Sequence, residues 1–487
     1  MKGLNSREIV IAGKRFLFPF QLRLTECEAP LECLELLRFI PGRRAVVLGQ
    51  WRGKKIVAKF FFKPFRSGRH VRRELKGNRL LKKNEIASPD ILYSGSVREV
   101  KTEVLVFNYI HPAESLGDAL DSCRDFNLYR EYLQQLITLL GTMHNAGLQH
   151  NDLHLNNFLV SSNKNGKGST MYALDGDAIE KKSSSQSLDL NKSMKNLSTI
   201  FVQLNIRDEN LFRDLVNTYF ITRNFKIEKK IVLKLEKLIK RDKRLNLNRY
   251  LKKIYRSSTE NICKKSLTSF MVCKRNCYTP EMKAFLKNPD IAFHLPGKDM
   301  LKAGNSATVV RFNVDGRELV VKRYNMKNFF HGLRRSFKKS RGDRSWQNAH
   351  LLLRKGITTP SPIALKEKRF GPFRNKAYFI CEYVKGISAR HYFKDNQSVG
   401  KAVVPEKIIE MLKLLESSMI SHGDMKATNI IINREKPFLI DLDSMVHHKS
   451  RKKFVRAHGK DLKRFMKNWA DQPEVSRFFS TLQEIEN

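Results

Sequence analysis

The sequence predicts an α+β protein made of two tandem copies of one domain, each with a small β-rich lobe and a mainly helical lobe. Two observations support this. A lysine that ends an apolar strand recurs at Lys59 and Lys322, and an aspartate in a polar loop recurs at Asp152 and Asp424. The two lysines lie 263 residues apart and the two aspartates 272, and such similar offsets are typical of a diverged internal duplication. The order of strand and helix patterns around these residues is also the same in both halves.

Each copy begins with a β-hairpin whose second strand carries the lysine. β-Branched residues flank a turn at Gly53 in the first copy and a turn at Asp315-Gly316 in the second. A basic helical stretch follows, and then a strand, at residues 104–109 and 377–383. A long amphipathic helix comes next and leads to the polar loop.

We expect the two domains to occupy residues 1–270 and 271–487. Residues 226–265 have a helical pattern and are heavily basic. We interpret them as the last helices of the first domain running into a linker, which puts the boundary near residue 270.

The charge balance predicts an anionic partner. Lys and Arg number 92 and Asp and Glu 48, which gives a net charge of +44. Candidates are nucleic acid, an anionic membrane face, and a phosphorylated or acidic glycan. The sequence contains no RNA-binding motif, and few aromatic residues lie among its basic runs, so nucleic acid is the least favoured.

The sequence also predicts a cytoplasmic location. No run of about 18 apolar residues occurs, so no transmembrane helix is expected. Basic residues interrupt the first 20 positions, which argues against a secretory signal. The seven cysteines are dispersed, as is typical of reduced thiols in a cytosol.

The polar loop has one pattern in both copies, His-x-Asp-x-x-x-x-Asn, which ends at Asn157 and at Asn429. This is the spacing of the kinase catalytic loop, in which the aspartate takes the proton of the acceptor hydroxyl and the asparagine holds a metal ion. Asp152 and Asp424 are therefore the predicted catalytic bases. Lys426 is predicted to act beside Asp424, near the γ-phosphate.

An apolar strand ending in two acids follows each loop. The acids are Asp175 and Asp177 in the first copy and Asp441 and Asp443 in the second. Asp175 and Asp441 lie where a kinase has the metal-binding aspartate of its Asp-Phe-Gly motif. Hard oxygen ligands of this kind suit Mg²⁺. Asp177 and Asp443 either hold metal as well or hydrogen-bond within the turn.

Lys59 and Lys322 end strands from which a lysine can reach the phosphates of ATP. In an active kinase this lysine pairs with a glutamate on the following helix. Glu74, fifteen residues after Lys59, is the predicted partner.

The second copy departs from this pattern. When the Ile-x-x-Pro corners of the two copies are aligned, Ser345 falls opposite Glu74. Lys322 therefore has no obvious partner. Either the second copy is a pseudokinase, or another residue such as Asn348 or His350 takes the place of the glutamate.

Neither copy contains a Gly-x-Gly-x-x-Gly motif. The nearest phosphate-covering segment is residues 304–308, which begin with Gly304, and a weaker candidate is residues 41–44. Backbone amides in these segments can meet phosphate, with help from Arg43 and Arg44 in the first copy.

The segment after the acidic pair is short. A helical pattern resumes near residue 192 in one copy and near 460 in the other, which leaves about 15 residues and no Ala-Pro-Glu. A protein kinase has a longer segment here. The short segment favours an acceptor that is not a protein.

A basic insertion follows the lysine strand of the second copy. Its apolar residues, at 329, 330, 333 and 337, have helical spacing among basic neighbours. The insertion either lies on an anionic membrane or grips acceptor phosphates, or it packs on the small lobe with its charges solvated.

Taken together, the loops, the acidic strand ends and the short segment resemble the lipopolysaccharide-core kinases, which phosphorylate heptose or Kdo sugars of the inner core. Residues 150–157 look like the Kdo-kinase loop, and residues 321–325 and 346–350 look like tandem members of this group. The resemblance spans roughly residues 41–469. It implies two protein-kinase-like domains, ATP and Mg²⁺ as cofactors, and a sugar hydroxyl acceptor at the cytoplasmic face of the inner membrane.

The interpretation favoured by the resemblance is an ATP-dependent kinase of the lipopolysaccharide core, whose partner is an anionic lipid-linked glycan and which makes peripheral contact with the membrane. Two alternatives stay open. One module is active and the other is a non-catalytic binding unit, or the chain is a kinase on protein or RNA-associated targets. The last alternative arises because His-Gly-Asp-x-x-x-x-Asn also occurs in atypical kinases of the RIO type.

Overall fold

The computed structural model divides the chain into two compact units, residues 1–245 and 246–487, which are described separately. The residues that the structure describes are 18–40, 43–62, 67–98, 102–162, 168–182, 187–204, 206, 208–294, 299–304, 307–324, 339–371, 373–395 and 403–480.

The first unit has an antiparallel sheet followed by a helical lobe. Its described strands are β1 (Phe20–Leu22), β2 (Leu31–Ile40), β3 (Arg44–Trp51), β4 (Lys54–Phe61), β5 (Ile91–Ser96), β6 (Glu103–Asn108), β7 (Glu114–Ser115), β8 (Leu148–His150), β9 (Phe158–Ser162), β10 (Ser169–Ala173) and β11 (Ile179–Lys181). Its described helices are α1 (Ser67–Lys83), α2 (Leu116–Ser122), α3 (Phe126–Asn145), α4 (Leu190–Leu204), α5 (Glu209–Thr222) and α6 (Lys229–Lys253). The last eight residues of α6 belong to the second unit. The strand order of the sheet is β1-β2-β3-β4-β6-β5.

The second unit repeats this plan. Its described strands are β12 (Asn261–Lys265), β13 (Ser269–Lys274), β14 (Asp299–Ala303), β15 (Ala307–Val314), β16 (Arg317–Tyr324), β17 (Pro362–Phe370), β18 (Phe373–Glu382), β19 (Ile387–Ser388), β20 (Ile420–Ser421), β21 (Ile430–Asn433), β22 (Lys436–Leu439) and β23 (Val446–His447). Its described helices are α7 (Pro280–Lys287), α8 (Arg341–Arg354), α9 (Ala389–Asp395), α10 (Val403–Ser417), α11 (Arg451–Met466) and α12 (Pro473–Ser480). Across the described part of the chain, no helix combines the length and the apolar character needed to cross a bilayer.

Five strands have the same order in both sheets. They are β2-β3-β4-β6-β5 in the first unit and β14-β15-β16-β18-β17 in the second. The hairpins β3–β4 and β15–β16 are those predicted from the sequence. Their turns, at Arg52-Gly53 and Asp315-Gly316, have positive φ at both positions, as a type I′ turn requires. The prediction of two tandem two-lobed domains is confirmed.

The units differ in the strands added at the sheet edges. The first unit adds β1 beside β2, whereas the second adds β13 and then β12 beside β17, at the opposite edge. Because β12 and β13 belong to the second sheet, the division of the chain falls 25 residues before the predicted boundary at 270. The basic stretch 226–265 is helical only to Lys253, and Ile254 is buried in the core of the second unit.

The long helix predicted before the polar loop is α3. It begins after Asp125, whose side chain accepts hydrogen bonds from the amides of Asn127 and Leu128. Its buried face carries apolar residues at helical spacing, namely Leu133, Leu136, Ile137 and Leu140. In the second unit α10 has the corresponding place, with Ile408, Leu412 and Leu415 buried.

Two short strand pairs bring the polar loop next to the acidic turn. In the first unit β8 pairs with β11 and β9 pairs with β10, so the loop between β8 and β9 lies beside the turn between β10 and β11. In the second unit the pairs β20–β23 and β21–β22 do the same.

A buried polar network joins three helices of the first unit. His144 of α3 bonds through Nδ1 to the Tyr219 hydroxyl of α5 at 2.7 Å, and through Nε2 to Oδ1 of Asn196 on α4 at 3.0 Å. Asn196 also donates from Nδ2 to the carbonyl of His150, at 2.9 Å. Burial lowers the pKa of His144 to about 4, because it outweighs the hydrogen bond with Asn196, which acts to raise that pKa. The polar loop is therefore anchored, through Asn196, to a neutral imidazole.

We expect the first unit to lose stability as the pH falls from about 6.5 towards 4. In this range the unfolded state binds a proton on His144 and the folded state does not, which makes the folded form about 2 kcal/mol less stable at pH 5 than at pH 7. Urea unfolding at both pH values should show this loss in the wild type and a much smaller one in His144→Gln.

The exposed His111 provides the control, because His111→Gln removes an imidazole without touching the buried network. It should keep the wild-type pH dependence. Equal losses of stability in the wild type and in His144→Gln would contradict the role given to the network.

Candidate active sites

Glu74 on α1 joins three parts of the first site. It is only 2% exposed. Its Oε1 accepts from Nζ of Lys59 at 2.6 Å and from the amide of Gly176 at 3.2 Å, and its Oε2 accepts from the amide of Asp177 at 3.2 Å. The Glu74 carboxylate thus joins β4 to the acidic turn. The structure brings Lys59 and Glu74 together as the sequence predicted.

Asp175, the first acid of the turn, has a left-handed backbone with φ 61° and ψ 65°. This backbone conformation is strained for a residue other than glycine, and strained residues of this kind cluster at functional sites. Its Oδ1 lies 3.2 Å from Nη1 of Arg44 and 3.6 Å from Nζ of Lys59. Burial acts to raise the pKa of Asp175, but the Lys59 and Arg44 charges outweigh burial and hold it below the ordinary value.

Two glycines allow α1 to approach the acidic turn. A Cβ added to Gly77 would lie 1.9 Å from the carbonyl oxygen of Gly176, and one added to Gly176 would lie 2.5 Å from the carbonyl oxygen of Glu74. Any larger residue at either position must therefore push the helix off the turn. This backbone contact sets the distance at which Glu74 meets Lys59.

The polar loop of the first unit is held by its own histidine and asparagine. The amide of Asp152 donates to Nδ1 of His150 at 3.2 Å, and Nε2 of His150 bonds to the carbonyl of Leu174 at 3.3 Å. Burial lowers the pKa of His150. The amide that donates to its Nδ1 also requires that nitrogen to be unprotonated. Nδ2 of Asn157 donates to the carbonyl of Asp152 at 2.7 Å, which leaves its amide oxygen for a ligand.

Asp152 itself is exposed, and among the described residues its carboxylate has no ion-pair partner. An exposed, unpaired carboxylate is able to accept a proton from a hydroxyl group.

Asp177 faces α1. Its Oδ2 lies 2.8 Å from Nδ1 of His70 and its Oδ1 lies 3.1 Å from Nε of Arg73. Of the two roles that the sequence left open, these contacts favour a structural one in the turn over metal binding. His70 and Arg73 were not among the predicted site residues, although their spacing of three residues on one helix puts them on one face.

Two cavities meet at these residues. The first, of about 300 Å³, contains Lys59, Glu74, Asn157 and Asp175, a few other polar residues and many apolar side chains. The apolar lining includes Val46, Val57, Leu81, Phe107, Leu159 and Leu174. The second, of about 430 Å³, contains the acids Asp152, Asp175 and Asp177 together with the basic residues Arg43, Arg44, His70 and Arg73. The first cavity suits a nucleotide base, and the second lies at the predicted catalytic base.

The second unit lacks the glutamate. Ser345 is buried and shares a hydrogen bond of 2.7 Å with the hydroxyl of Tyr324. Lys322 instead forms an ion pair with Asp441 and lies 3.9 Å from Oδ2 of Asp443. Burial acts to lower the pKa of Lys322, but the Tyr324, Asp441 and Asp443 groups outweigh burial and raise it. Asp441 has the same left-handed backbone as its counterpart, with φ 62°.

The two residues suggested as substitutes for the glutamate have other roles. Nδ2 of Asn348 donates to the carbonyls of Leu442 and Met445, at 2.8 and 3.1 Å. His350 is buried and bonds to the hydroxyl of Tyr250 at 3.0 Å. That suggestion was therefore wrong for both residues, because each side chain points to another partner.

Arg341 reaches the second acid of the turn. Its Nε lies 2.6 Å and its Nη2 2.5 Å from Oδ2 of Asp443. Asp443 is only 3% exposed, so this contact again favours a structural role over the predicted metal binding. In the alignment of the two copies Arg341 falls opposite His70, which makes the corresponding contact in the first unit.

The second polar loop repeats the first in its hydrogen bonds. Nδ2 of Asn429 donates to the carbonyl of Asp424 at 2.8 Å. The carboxylate of Asp424 differs from that of Asp152, because Lys426 and Arg464 lie 3.1 and 3.0 Å from its Oδ1. The predicted base of the second unit is therefore paired with two cations.

Asp461 on α11 holds the start of this loop. Its Oδ2 accepts from the amide of His422 at 2.6 Å, and both of its oxygens lie 3.0 Å from the amide of Gly423. Asn196 holds the first loop through the carbonyl of His150. Sequence reasoning missed both residues, since they lie 38 and 46 positions from their partners.

Gly304 directly follows β14, whose residues Leu301 and Lys302 line the cavity of the second unit. This cavity, of about 490 Å³, contains Lys302, Lys322, Asn429 and Asp441 and is otherwise mainly apolar. Parts of the predicted phosphate-covering segments, Asn305-Ser306 and Pro41-Gly42, lie outside the described residues, as does most of the basic insertion, residues 325–338.

The segment after the acidic turn is shorter than predicted. α4 begins at Leu190, 13 residues after Asp177, and α11 begins at Arg451, eight residues after Asp443. The helix start predicted near residue 460 is therefore wrong by nine residues. Asp461 and Arg464 therefore lie in the last two turns of α11, from which they reach the polar loop.

The residues of the first site fit Mg²⁺. Within the described residues no group of three or more His, Cys, Asp or Glu side chains could hold a metal by itself. Mg²⁺ usually takes one or two protein carboxylates and completes its shell with substrate phosphates and water. Asp175 with the amide oxygen of Asn157 meets that requirement, and Asp441 with Asn429 is the equivalent set in the second unit.

Comparison with known proteins gives one family. The model described as the lipopolysaccharide kinase (Kdo/WaaP) family matches residues 44–219 and again residues 298–481. No curated protein matches the chain. A solved structure titled "WaaP in complex with acyl carrier protein" is 18% identical, with a TM-score of 0.34 over 42% of this chain and 88% of that one.

We expect Gly77→Ala to destabilise the first unit by about 1–3 kcal/mol, because the new methyl group overlaps the backbone of Gly176. Gly68→Ala is the matched control in the same helix, since a Cβ there meets nothing within 4 Å. It should leave stability unchanged or raise it by up to about 1 kcal/mol. Thermal unfolding of the two variants measures the difference, and equal midpoints would contradict the close contact.

Proposed function

Because the chain belongs to the lipopolysaccharide kinase (Kdo/WaaP) family, we propose that it transfers the γ-phosphoryl group of ATP to a heptose or Kdo hydroxyl of the lipopolysaccharide inner core. Membership of the family makes the chain a kinase, that is, a phosphotransferase with a hydroxyl acceptor. The choice of sugar and the use of ATP are the parts that we propose.

The observation that carries the proposal is the Lys59–Glu74 pair beside Asp175. An active kinase needs this ion pair and its metal-binding aspartate in place together. In the first unit a buried carboxylate holds the ammonium at 2.6 Å, and the same carboxylate holds the backbone of the acidic turn. Lys59 is thus fixed at the polar end of the apolar cavity, where the phosphates of a nucleotide would lie.

The residues of the first unit have distinct roles in this proposal. Asp152 accepts the proton of the sugar hydroxyl as the phosphoryl group is transferred. Asn157 and Asp175 hold Mg²⁺, which supplies charge neutralisation and orientation of the phosphates. Lys59 and Arg44 add positive charge at the same end of the cavity. Catalysis comes chiefly from positioning and from these fixed charges.

For the second unit we propose a binding role with little or no turnover. Ser345 offers no carboxylate to Lys322, and the carboxylate of Asp424 is paired with Lys426 and Arg464. Its cavity keeps an apolar lining with Lys322 at one end, which supports nucleotide binding. This is the one-active-module alternative that the sequence left open.

The acceptor that we propose is lipid-linked and anionic, which fits the net charge of +44. We therefore propose that the protein works in the cytoplasm, at the surface of the membrane that carries this acceptor. Nucleic acid is not favoured as the partner.

Asp152→Asn should lower phosphate transfer to dephosphorylated lipid A–inner core by about 10²- to 10⁴-fold, since it removes the proton acceptor. Asp121→Asn, an exposed aspartate of the same unit, is the control and should keep wild-type transfer. Transfer of label from γ-labelled ATP is the measurement.

Asp424→Asn distinguishes the modules in the same assay. Under our proposal this variant keeps most of the transfer. If Asp424→Asn loses the transfer and Asp152→Asn keeps it, the second unit is the catalytic one. An absence of transfer by the wild type would rule out the lipopolysaccharide core as the acceptor.

Glu74→Gln should lower transfer at least about tenfold and weaken nucleotide binding, because Lys59 loses its buried partner. Glu209→Gln is the matched control: Glu209 pairs with Arg213 at the same 2.6 Å, but both side chains are exposed. Exposed pairs contribute little, so this variant should resemble the wild type in nucleotide titration and in transfer. Equal effects of the two substitutions would contradict the role of the buried pair.

A further inference from the structure

The corner between α5 and α6 exposes several large apolar side chains. Ile221, near the end of α5, is 75% exposed, and Leu233, in α6, is 46% exposed. Phe225 and Ile227, in the turn between the two helices, are each 40% exposed. Single exposed apolar residues are ordinary, but four within 13 residues form a concentration that calls for a partner.

The backbone of this corner is well defined. Asn224 has φ 51°, and its amide donates to the carbonyl of Ile221 at 2.9 Å. The amide of Phe225 donates to the carbonyl of Phe220 at 3.0 Å. These two bonds are the Schellman arrangement that ends a helix. The exposed side chains are therefore presented on a fixed turn.

α6 places positive charge around these side chains. It carries 11 Lys or Arg residues and two acidic ones in 25 positions. Its inner face, with Leu235 and Ile239, is buried in the core of the helical lobe. Its outer face carries Leu233 followed at helical spacing by Lys237, Lys240 and Arg244, all of them exposed.

The lysines closest in sequence to the exposed apolar residues are not engaged in ion pairs. Lys226, Lys229 and Lys230 are exposed, and among the described residues none of them has an acidic partner. A basic helix face by itself is ordinarily a solvated surface. The addition of Ile221 and Leu233 makes this surface both cationic and apolar.

We propose that the α5–α6 corner, defined by Ile221, Phe225, Ile227, Leu233 and the lysines between them, binds the headgroup region of an anionic phospholipid bilayer. Apolar side chains enter the boundary between headgroups and acyl chains while lysines meet the lipid phosphates. Each lysine near such a surface strengthens binding about fivefold. The proposal rests on the membrane-side location given above and names the surface responsible for it.

The aliphatic side chains select a bilayer over nucleic acid. Lysines attract either polyanion, but proteins that hold nucleic acid stack its bases on aromatic rings and meet its backbone with polar groups. Ile221, Ile227 and Leu233 can do neither, and the ring of Phe225 already lies against the guanidinium group of Arg223, at 5.0 Å. The aliphatic side chains are suited to the acyl boundary of a membrane.

Co-sedimentation of the full chain with vesicles tests the proposal. The wild type should bind phosphatidylcholine vesicles that contain about 30% phosphatidylglycerol and should not bind pure phosphatidylcholine vesicles. Substitution of Lys226, Lys229 and Lys230 by Gln should weaken binding about a hundredfold. The matched control, substitution of Lys54, Lys55 and Lys83 by Gln, removes the same charge from exposed lysines elsewhere in the unit and should weaken it less than about tenfold.

Ile221→Ser/Leu233→Ser tests the apolar part and should lower vesicle affinity at least about fivefold at unchanged net charge. Both side chains are exposed, so the thermal midpoint should stay near the wild-type value. Wild-type affinity of this double variant, or equal losses in the two lysine variants, would overturn the proposal. Tight binding of an oligonucleotide, lost in the Lys226 variant, would instead identify a nucleic-acid surface and also overturn it.

The vesicle assay is independent of phosphate transfer. If transfer to the lipopolysaccharide core fails while vesicle binding depends on the corner as described, only the proposed function is overturned. If the corner variants bind vesicles as the wild type does while transfer succeeds, only the corner is overturned.

Discussion

The first site depends on the burial of one carboxylate. Glu74 is almost wholly removed from water, and an isolated charge in that position would be strongly unfavourable. It is satisfied by one ammonium, from Lys59, and by two backbone amides of the acidic turn. Each of these partners is held in place by the same group, so the strand, the helix and the turn cannot shift independently. The close contact of Gly77 with Gly176 makes this arrangement geometrically possible.

The second unit holds the corresponding helix and turn together by other means. Asn348 donates to two carbonyls of the turn, and Arg341 neutralises its second acid. Ser345 takes the place of the glutamate and bonds to Tyr324 instead. The two-lobed fold therefore does not need the lysine–glutamate pair, because neutral hydrogen bonds and a different ion pair stabilise the same contact. What the second unit lacks is the buried anion that fixes the lysine, and this difference bears on chemistry more than on architecture.

Charge is also distributed differently at the two aspartates predicted to be catalytic bases. Asp152 is exposed without an ion-pair partner among the described residues, whereas Asp424 is paired with Lys426 and Arg464. Elsewhere the first unit concentrates lysines on the outer face of α6, next to exposed apolar residues at the α5–α6 corner. α6, with 11 basic and two acidic residues, thus carries only part of the excess of positive charge, but it carries it beside exposed apolar side chains. A cationic surface that is also apolar is suited to a lipid boundary.

The sequence by itself determined the local features of this protein: the hairpins that carry Lys59 and Lys322, the long helix before each loop, the acidic strand ends and the duplication. These follow from periodicity and turn chemistry within a few residues. Only the tertiary structure decided where the domain boundary lies and which groups contact Asp177, Asn348 and Asp443. It also decided that Asn196 and Asp461 anchor the polar loops. Each involves residues distant in sequence, such as β13 paired with β17, or His70 and Asp177 at 107 positions apart. Periodicity shows which face of an element is buried, but the side chain that meets it from another element is set by how the whole domain packs.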